Sequence, residues 1–334
     1  MKVPLYGIFG DNFIITIASL SKNVKRVGNE VEFDDKELRD VVILASQIAK
    51  EREGKGKFVF PLSGNDKKAF SSALKCYNIP DGSPVSSILD KFANSLDKEC
   101  EEVSAISTIK PEFYEFARSP GYSGGRKAQI KVEPKYVLLS LAGWVISRLG
   151  RAPLGQGDYV SVHAFPVDID QRFGVIPSLL KELSSGLLPG TEPITALTIW
   201  LASKMVKTQA IIDQMFLYFI SDPAGQNPAT ITSGHLISVK RIVENEKFKE
   251  INGIAEVLAD YALNPNPQLQ CDIRSFSIRV INLLFEVLNG SKSDVELLYF
   301  TNRELFSLMN ARGVDERCMK EYRMASIMAD KLVS

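Results

Sequence analysis

Residues 135–149, KYVLLSLAGWVISRL, constrain the fold more than any other stretch of the sequence. Pro134 suits the first position of a helix and Gly150 suits its end, which predicts a helix from Lys135 to Leu149. Apolar side chains occupy nearly every face of it. A helix without a polar face has to be enclosed, and the longest apolar run, Tyr136 to Ile146, is too short to cross a bilayer. The helix is therefore expected inside a protein core, with other elements packed around it.

The chain has 334 residues, more than one core usually serves, so two domains are expected. Its 45% hydrophobic and 24% charged residues are ordinary globular values. In the first part, Lys2 to Phe9, Phe58 to Leu62, Lys127 to Val132 and Asp158 to Pro166 read as strands, and Val24 to Phe33 as a hairpin turning at Gly28-Asn29. Asp11 is positioned to cap a helix from Asn12 to Leu20. Asp34 or Asp35 caps a longer one, in which Leu38, Val41, Val42, Ala45, Ile48 and Ala49 share a face. Residues 65–77 and 84–102 read as two further helices. Beyond about residue 170 successive helices are predicted, near 175–184, 192–206, 208–220, 233–243, 246–262, 271–289, 293–311 and 314–332. The expected class is α+β: a mixed α/β domain over 1–172 and a helical bundle over 173–334.

Forty basic and forty acidic residues cancel, so any nucleic-acid affinity must come from a local patch. The start, MKVPLYGIFGDNF, lacks the basic and apolar regions of a signal peptide, and a cytoplasmic protein without membrane contact is expected. Cys76, Cys100, Cys271 and Cys318 are far apart and form no CxxC pair, so buried thiols are expected rather than a zinc site or disulfides. Two histidines, His163 and His235, leave little scope for general-base or metal chemistry.

One segment departs from this neutrality. Between Arg118 and Arg151 seven cations face a single acid, Glu133. Glycine-rich loops at 121–125 and 150–157 flank the apolar helix, and bare backbone amides beside cations suit phosphate groups. The candidate nucleic-acid-binding residues are Arg118, Tyr122, Arg126, Lys127, Lys131, Arg148 and Arg151, with Tyr122 placed to stack on a base or sugar. Gly121-Tyr122-Ser123-Gly124-Gly125 also fits the G-x-S-x-G pattern of serine hydrolases, and Ser123, Asp158 and His163 follow in the expected order. An acid and base five residues apart on one strand do not match that architecture. No phosphate-binding loop of the G-x-x-x-x-G-K-[ST] type is present, and Asp168 and Asp170 have no further ligands at metal spacing. The reading is of a non-enzymatic protein without a cofactor.

The sequence resembles the large subunit of the archaeal type I-A CRISPR interference complex (archaeal Cascade). The resemblance is carried by Tyr6-Gly7-Ile8-Phe9-Gly10-Asp11-Asn12-Phe13, by Gly143-Trp144-Val145-Ile146-Ser147-Arg148-Leu149-Gly150-Arg151, and by Asp158-Tyr159-Val160-Ser161-Val162-His163-Ala164-Phe165-Pro166. It implies a role in antiviral defence: a subunit that helps recognise the motif flanking the target and holds the opened strands while guide RNA pairs with target DNA. It further implies contacts with the backbone and small subunits of the effector and with a helicase-nuclease. A protein-interaction scaffold that touches no nucleic acid is the alternative.

Overall fold

The computed structural model describes all residues except 56–57, 113–129, 154–158, 168, 170–177, 180–181, 184–186, 210–211, 223–226, 266, 270, 312 and 314. It is α+β, as expected. Its contacts divide into two units: Met1–Arg151 with Tyr159–Gly186 and Met215–Leu236, and Ala152–Asp158 with Leu187–Gln214 and Ile237–Ser334.

The first unit begins with β1 (Lys2–Pro4), α1 (Asp11–Leu20) and the hairpin β2 (Val24–Val27) and β3 (Glu30–Phe33). The three strands form an antiparallel sheet in the order β1-β3-β2, with Val3 opposite Val31. Gly28 holds a positive φ of 60° at the hairpin turn, a conformation open to glycine at no steric cost. Asp11 does not cap α1. Its carboxylate accepts from the Tyr6 and Gly7 amides and from the Tyr136 hydroxyl, folding the preceding loop onto the helix.

Helix α2 (Asp35–Glu53) follows the sequence closely. Asp34 accepts from the Lys36 and Glu37 amides as its cap, and the six-residue apolar stripe is buried. Helices α3 (Asp66–Cys76) and α4 (Val85–Ala93) come next. Buried Asp66 accepts from the Ser63 and Ser107 hydroxyls and from the Ser107 amide, fastening α3 to the turn at Ser107–Ile109. Short strands β4 (Val103–Ser104) and β5 (Lys131–Val132) pair antiparallel.

Helix α5 (Pro134–Ser147) is the predicted interior helix, with every residue buried except Lys135. It packs on α1, α2 and α3. Gly143 faces α1 so closely that a Cβ there would collide with the carbonyl and side chain of Phe13. The helix ends two residues before Leu149. Arg148 already opens β6 (Arg148–Pro153), so Gly150 sits inside a strand and terminates nothing. Strand β7 (Tyr159–Pro166) pairs antiparallel with β8 (Gln214–Ser221), His163 opposite Tyr218, in a sheet ordered β6-β7-β8-β9. Phe13 of α1 meets His163 and Phe165 of β7 edge to face.

Two expected helices are strands. Residues 208–220 instead contain most of β8, and 233–243 the end of β9 (Thr230–Ser238), which holds His235, with only Lys240–Val243 helical. The run MFLYFI in β8 is apolar at every position, so periodicity does not distinguish its state, and its aromatics favour the pleated surface. Phe58–Leu62, expected as a strand, pairs with no strand among the described residues. The helix expected over 84–102 ends at Ala93.

The second unit contains α6 (Ile194–Thr208), the single turn α7 (Lys240–Val243), α8 (Glu246–Leu263), α9 (Ile273–Leu288), α10 (Asp294–Met309) and α11 (Glu316–Val333). Asn245, Asp272, Ser293 and Asp315 cap the last four through side-chain oxygens. Helix α8 packs on α6, α9 and α11, and α10 packs on α11. Phe276 of α9 stacks on Tyr322 of α11 at 3.6 Å between ring centroids.

The cysteines are not free thiols. Cys76 pairs with Cys100 and Cys271 with Cys318. Sequence spacing could not reveal this, because the fold brings together residues 24 and 47 positions apart. The Cys271–Cys318 bridge ties the start of α9 to the first turn of α11 across that longer loop. Replacing Cys271 with Ser should lower the unfolding free energy by about 2–4 kcal/mol in urea titrations. Reductant should bring the wild type to the level of the variant in that unit.

Candidate nucleic-acid interface

Two arginines meet at the C-terminal end of α5. Arg148 is buried, with its guanidinium 4.9 Å from the Trp144 ring centroid and 5.4 Å from that of Phe58. Arg52, from the last turn of α2, lies 5.6 Å from the same Phe58 ring and donates from Nη2 to the Arg148 carbonyl at 2.8 Å. Neither forms an ion pair among the described residues. Arg52 Nη1 and Arg148 Nε are enclosed without a hydrogen-bond partner. Burial, with the Arg148 charge adding to it, pulls the Arg52 pKa down from 12.5 to about 9. Burial pulls Arg148 down to about 10, with Asp222 opposing the shift and Arg151 adding to it.

Further along β6 the cluster opens to solvent. Arg151, 42% exposed, pairs with Asp222 at 3.2 Å and lies 4.7 Å from the centroid of the exposed Tyr159 ring. The second Asp222 oxygen accepts from the Ser161 hydroxyl at 2.5 Å. Asp222 is therefore the one carboxylate engaged by this group of three guanidiniums among the described residues.

His163 lies behind the arginines in a ring cage of Phe13, Trp144 and Phe165. Its Nδ1 is 2.9 Å from the Ser147 hydroxyl and its Nε2 has no partner. Burial first, then the Arg148 and Arg52 charges, hold its pKa well below the ordinary 6.5. The enclosed imidazole, favoured in its neutral form, contacts Ser147 and the surrounding rings. Ser123 and Asp158, the other members of the hydrolase pattern, lie outside the described residues, as do Asp168 and Asp170. Among the described residues no three His, Cys, Asp or Glu side chains converge as metal ligands.

The sequence candidates fall into three groups. Arg148 and Arg151 stand together on β6. Lys131 is exposed on β5, in a different sheet. Arg118, Tyr122, Arg126 and Lys127 lie outside the described residues. Sequence reasoning missed Arg52, and also Phe58, Tyr159 and Asp222. The alternation of 158–166 was the available signal for Tyr159, since it places the residue at the exposed start of a strand. Nothing local marks Arg52, 96 positions from its partner. Chemically, the group offers cations short of anions beside an exposed aromatic ring, which suits binding an anion together with a flat partner.

A family model described as CRISPR-associated protein, CsaX, matches residues 31–305, from β3 into α10. The chain belongs to the CsaX family. It is therefore CRISPR-associated, and membership in CsaX supports a role in CRISPR defence without specifying the type I-A large subunit. No curated protein matches the sequence. Among the described residues, no helix of this CsaX member is long and apolar enough to cross a membrane.

The buried charges predict two stability effects. Arg148 is charged in both folded and unfolded chains at neutral pH, so it carries its burial cost there, and that cost is relieved as pH rises past about 10. Arg148→Met should therefore raise the unfolding free energy at pH 7 by about 1–4 kcal/mol. A loss would mean that the ring contacts outweigh the desolvation. The depressed pKa of His163 acts at the acid end, where the unfolded chain takes a proton that the native ring refuses. Stability should fall as pH drops below about 6.5, by up to about 1.4 kcal/mol per pH unit. The difference between wild type and His163→Gln across that window isolates this contribution.

Proposed function

We propose that this CsaX protein is a non-enzymatic nucleic-acid-binding subunit of a CRISPR RNA-guided DNA surveillance complex. In it, the chain takes the part of a large subunit that helps recognise the target-flanking motif and holds the opened strands. The observation that carries the reading is the group of Arg52, Arg148 and Arg151 with one carboxylate between them and Tyr159 exposed beside Arg151. Phosphates supply the missing negative charge, and a base stacks on the tyrosine, the combination by which single strands are held without sequence preference. Arg118, Tyr122, Arg126, Lys127 and Lys131 extend the contact along the strand. Guide RNA and target DNA provide the sequence reading by pairing, while backbone and small subunits and a helicase-nuclease complete the assembly.

A second reading, a scaffold without nucleic-acid contact, draws on the exposed apolar residues of α10: Val295, Tyr299, Phe306 and Met309. These large side chains suit a protein partner.

One titration separates the two. Fluorescent single-stranded DNA and RNA should bind the isolated protein weakly at low salt and lose affinity steeply as salt rises. Tyr159→Ala should cost about 1–3 kcal/mol. Arg151→Ala should reduce the salt slope by about one phosphate contact. Binding that ignores both substitutions rejects this interface. No binding at low salt, together with tight capture by the other subunits through α10, establishes the scaffold.

A further inference from the structure

A groove of about 1090 Å³ opens on the first unit between α3, α4 and the segment Phe58–Leu62. Its floor is apolar, made by Phe58, Phe60, Phe70, Leu74, Val85 and Ile88. The wall formed by Phe58–Leu62 is unusual in two respects. Its side chains alternate, with Phe58 and Phe60 buried and Val59 58% exposed, the period of a strand. Trp144 contacts both phenylalanine rings and Phe70 contacts the second, which pins the segment in place. Yet it joins no sheet. Among the described residues, the backbone N–H and C=O groups of Phe58, Val59, Phe60 and Leu62 make no hydrogen bond, and the Pro61 carbonyl accepts from the Thr108 hydroxyl. A strand-like row with free main-chain groups is a template for another strand.

The rim has a sign. Lys67, Lys68 and Lys75 are exposed and form no ion pair among the described residues. The two acids of the lining are already engaged: Glu53 accepts from the Ser86 amide and hydroxyl, and Asp81 accepts from the Ser71 hydroxyl. What remains on offer is an apolar floor, unpaired backbone along one wall and three free ammonium groups.

We propose that this groove binds an extended, acidic-apolar segment of a partner protein, added as a strand alongside Phe58–Leu62. Alternate apolar side chains of the segment enter the floor, its intervening carboxylates meet the lysines, and its backbone pairs with the free amides and carbonyls. A nucleic-acid strand fits less well, because the floor is apolar and the unpaired donors and acceptors run along a polypeptide wall. The proposal is independent of the arginine group on β6.

Amide hydrogen exchange on the full chain tests it, with a synthetic peptide alternating glutamate and leucine as the probe. The peptide should slow exchange at Val59, Phe60 and Leu62. Lys67→Glu, Lys68→Glu and Lys75→Glu combined should weaken peptide binding about tenfold or more while leaving the melting temperature of these exposed sites unchanged. A peptide alternating lysine and leucine should give no protection. Four results overturn the proposal: exchange at the free rate in saturating peptide, equal protection by the lysine peptide, protection of the same amides by oligothymidylate, or amides already protected in the chain alone.

Discussion

The close approach of α1 to α5 at Gly143 is the contact on which the first unit depends. With no Cβ at that position, the Phe13 backbone descends onto α5, and the Phe13 ring reaches β7 to meet His163 and Phe165. Any side chain at Gly143 would force the two helices apart and withdraw the ring from that cage. Volume errors of this kind are felt throughout a packed interior. The geometry also determines where Trp144 points. As the next residue on α5, it carries Phe58 and Phe60 on one side and Arg148 over its ring. The arginine group and the groove wall are thus both referred to one helix turn.

Elements with strong local signals were legible in the sequence: an apolar run of helical length opened by a proline, a helical stripe, and a glycine turn. The all-apolar α5, the six-residue stripe of α2 and the glycine turn of the first hairpin each appear where local chemistry placed them. Elements defined by distant partners were not. Strand β8 is apolar on both faces, so neither helical nor strand period stands out, and its identity comes from pairing with β7. Gly150 looked like a helix terminator, but the sheet recruits Arg148 first. The cysteine pairs and the Arg52–Arg148 contact join residues whose sequence separation carries no information. Charge counting singled out Arg148 and Arg151, but it could not reveal that one is enclosed and the other ion-paired.

That difference bears on function. A guanidinium buried without an anion is an unfavourable arrangement that simple packing does not require, since an apolar side chain of similar length would fill the same space. Two such groups, Arg52 and Arg148, beside an Arg151 already paired with Asp222, concentrate positive potential at one edge of a chain whose overall charge is zero. Low-dielectric surroundings strengthen that local field, so a neutral protein can still direct a charged strand to a chosen place. The strand contact proposed above would be local and sensitive to salt, and it would gain most if other subunits held the strand nearby, because tethering replaces intrinsic affinity with effective concentration.

Phe58 belongs to both surfaces. Its ring packs against Trp144, lies near the Arg52 and Arg148 guanidiniums, and forms part of the groove floor. Substituting it would disturb the arginines and the groove together, and the outcome would not say which surface had failed. Groups that touch one surface only are the informative ones. Arg151 and Tyr159 are outside the groove, and Lys67, Lys68 and Lys75 are outside the arginine group. A strand added along Phe58–Leu62 would also stiffen the wall that carries Phe58. It would thereby limit how far the two enclosed guanidiniums can move toward a phosphate, with coupling between the surfaces passing through this ring and through Trp144, which touches both phenylalanines and carries Arg148.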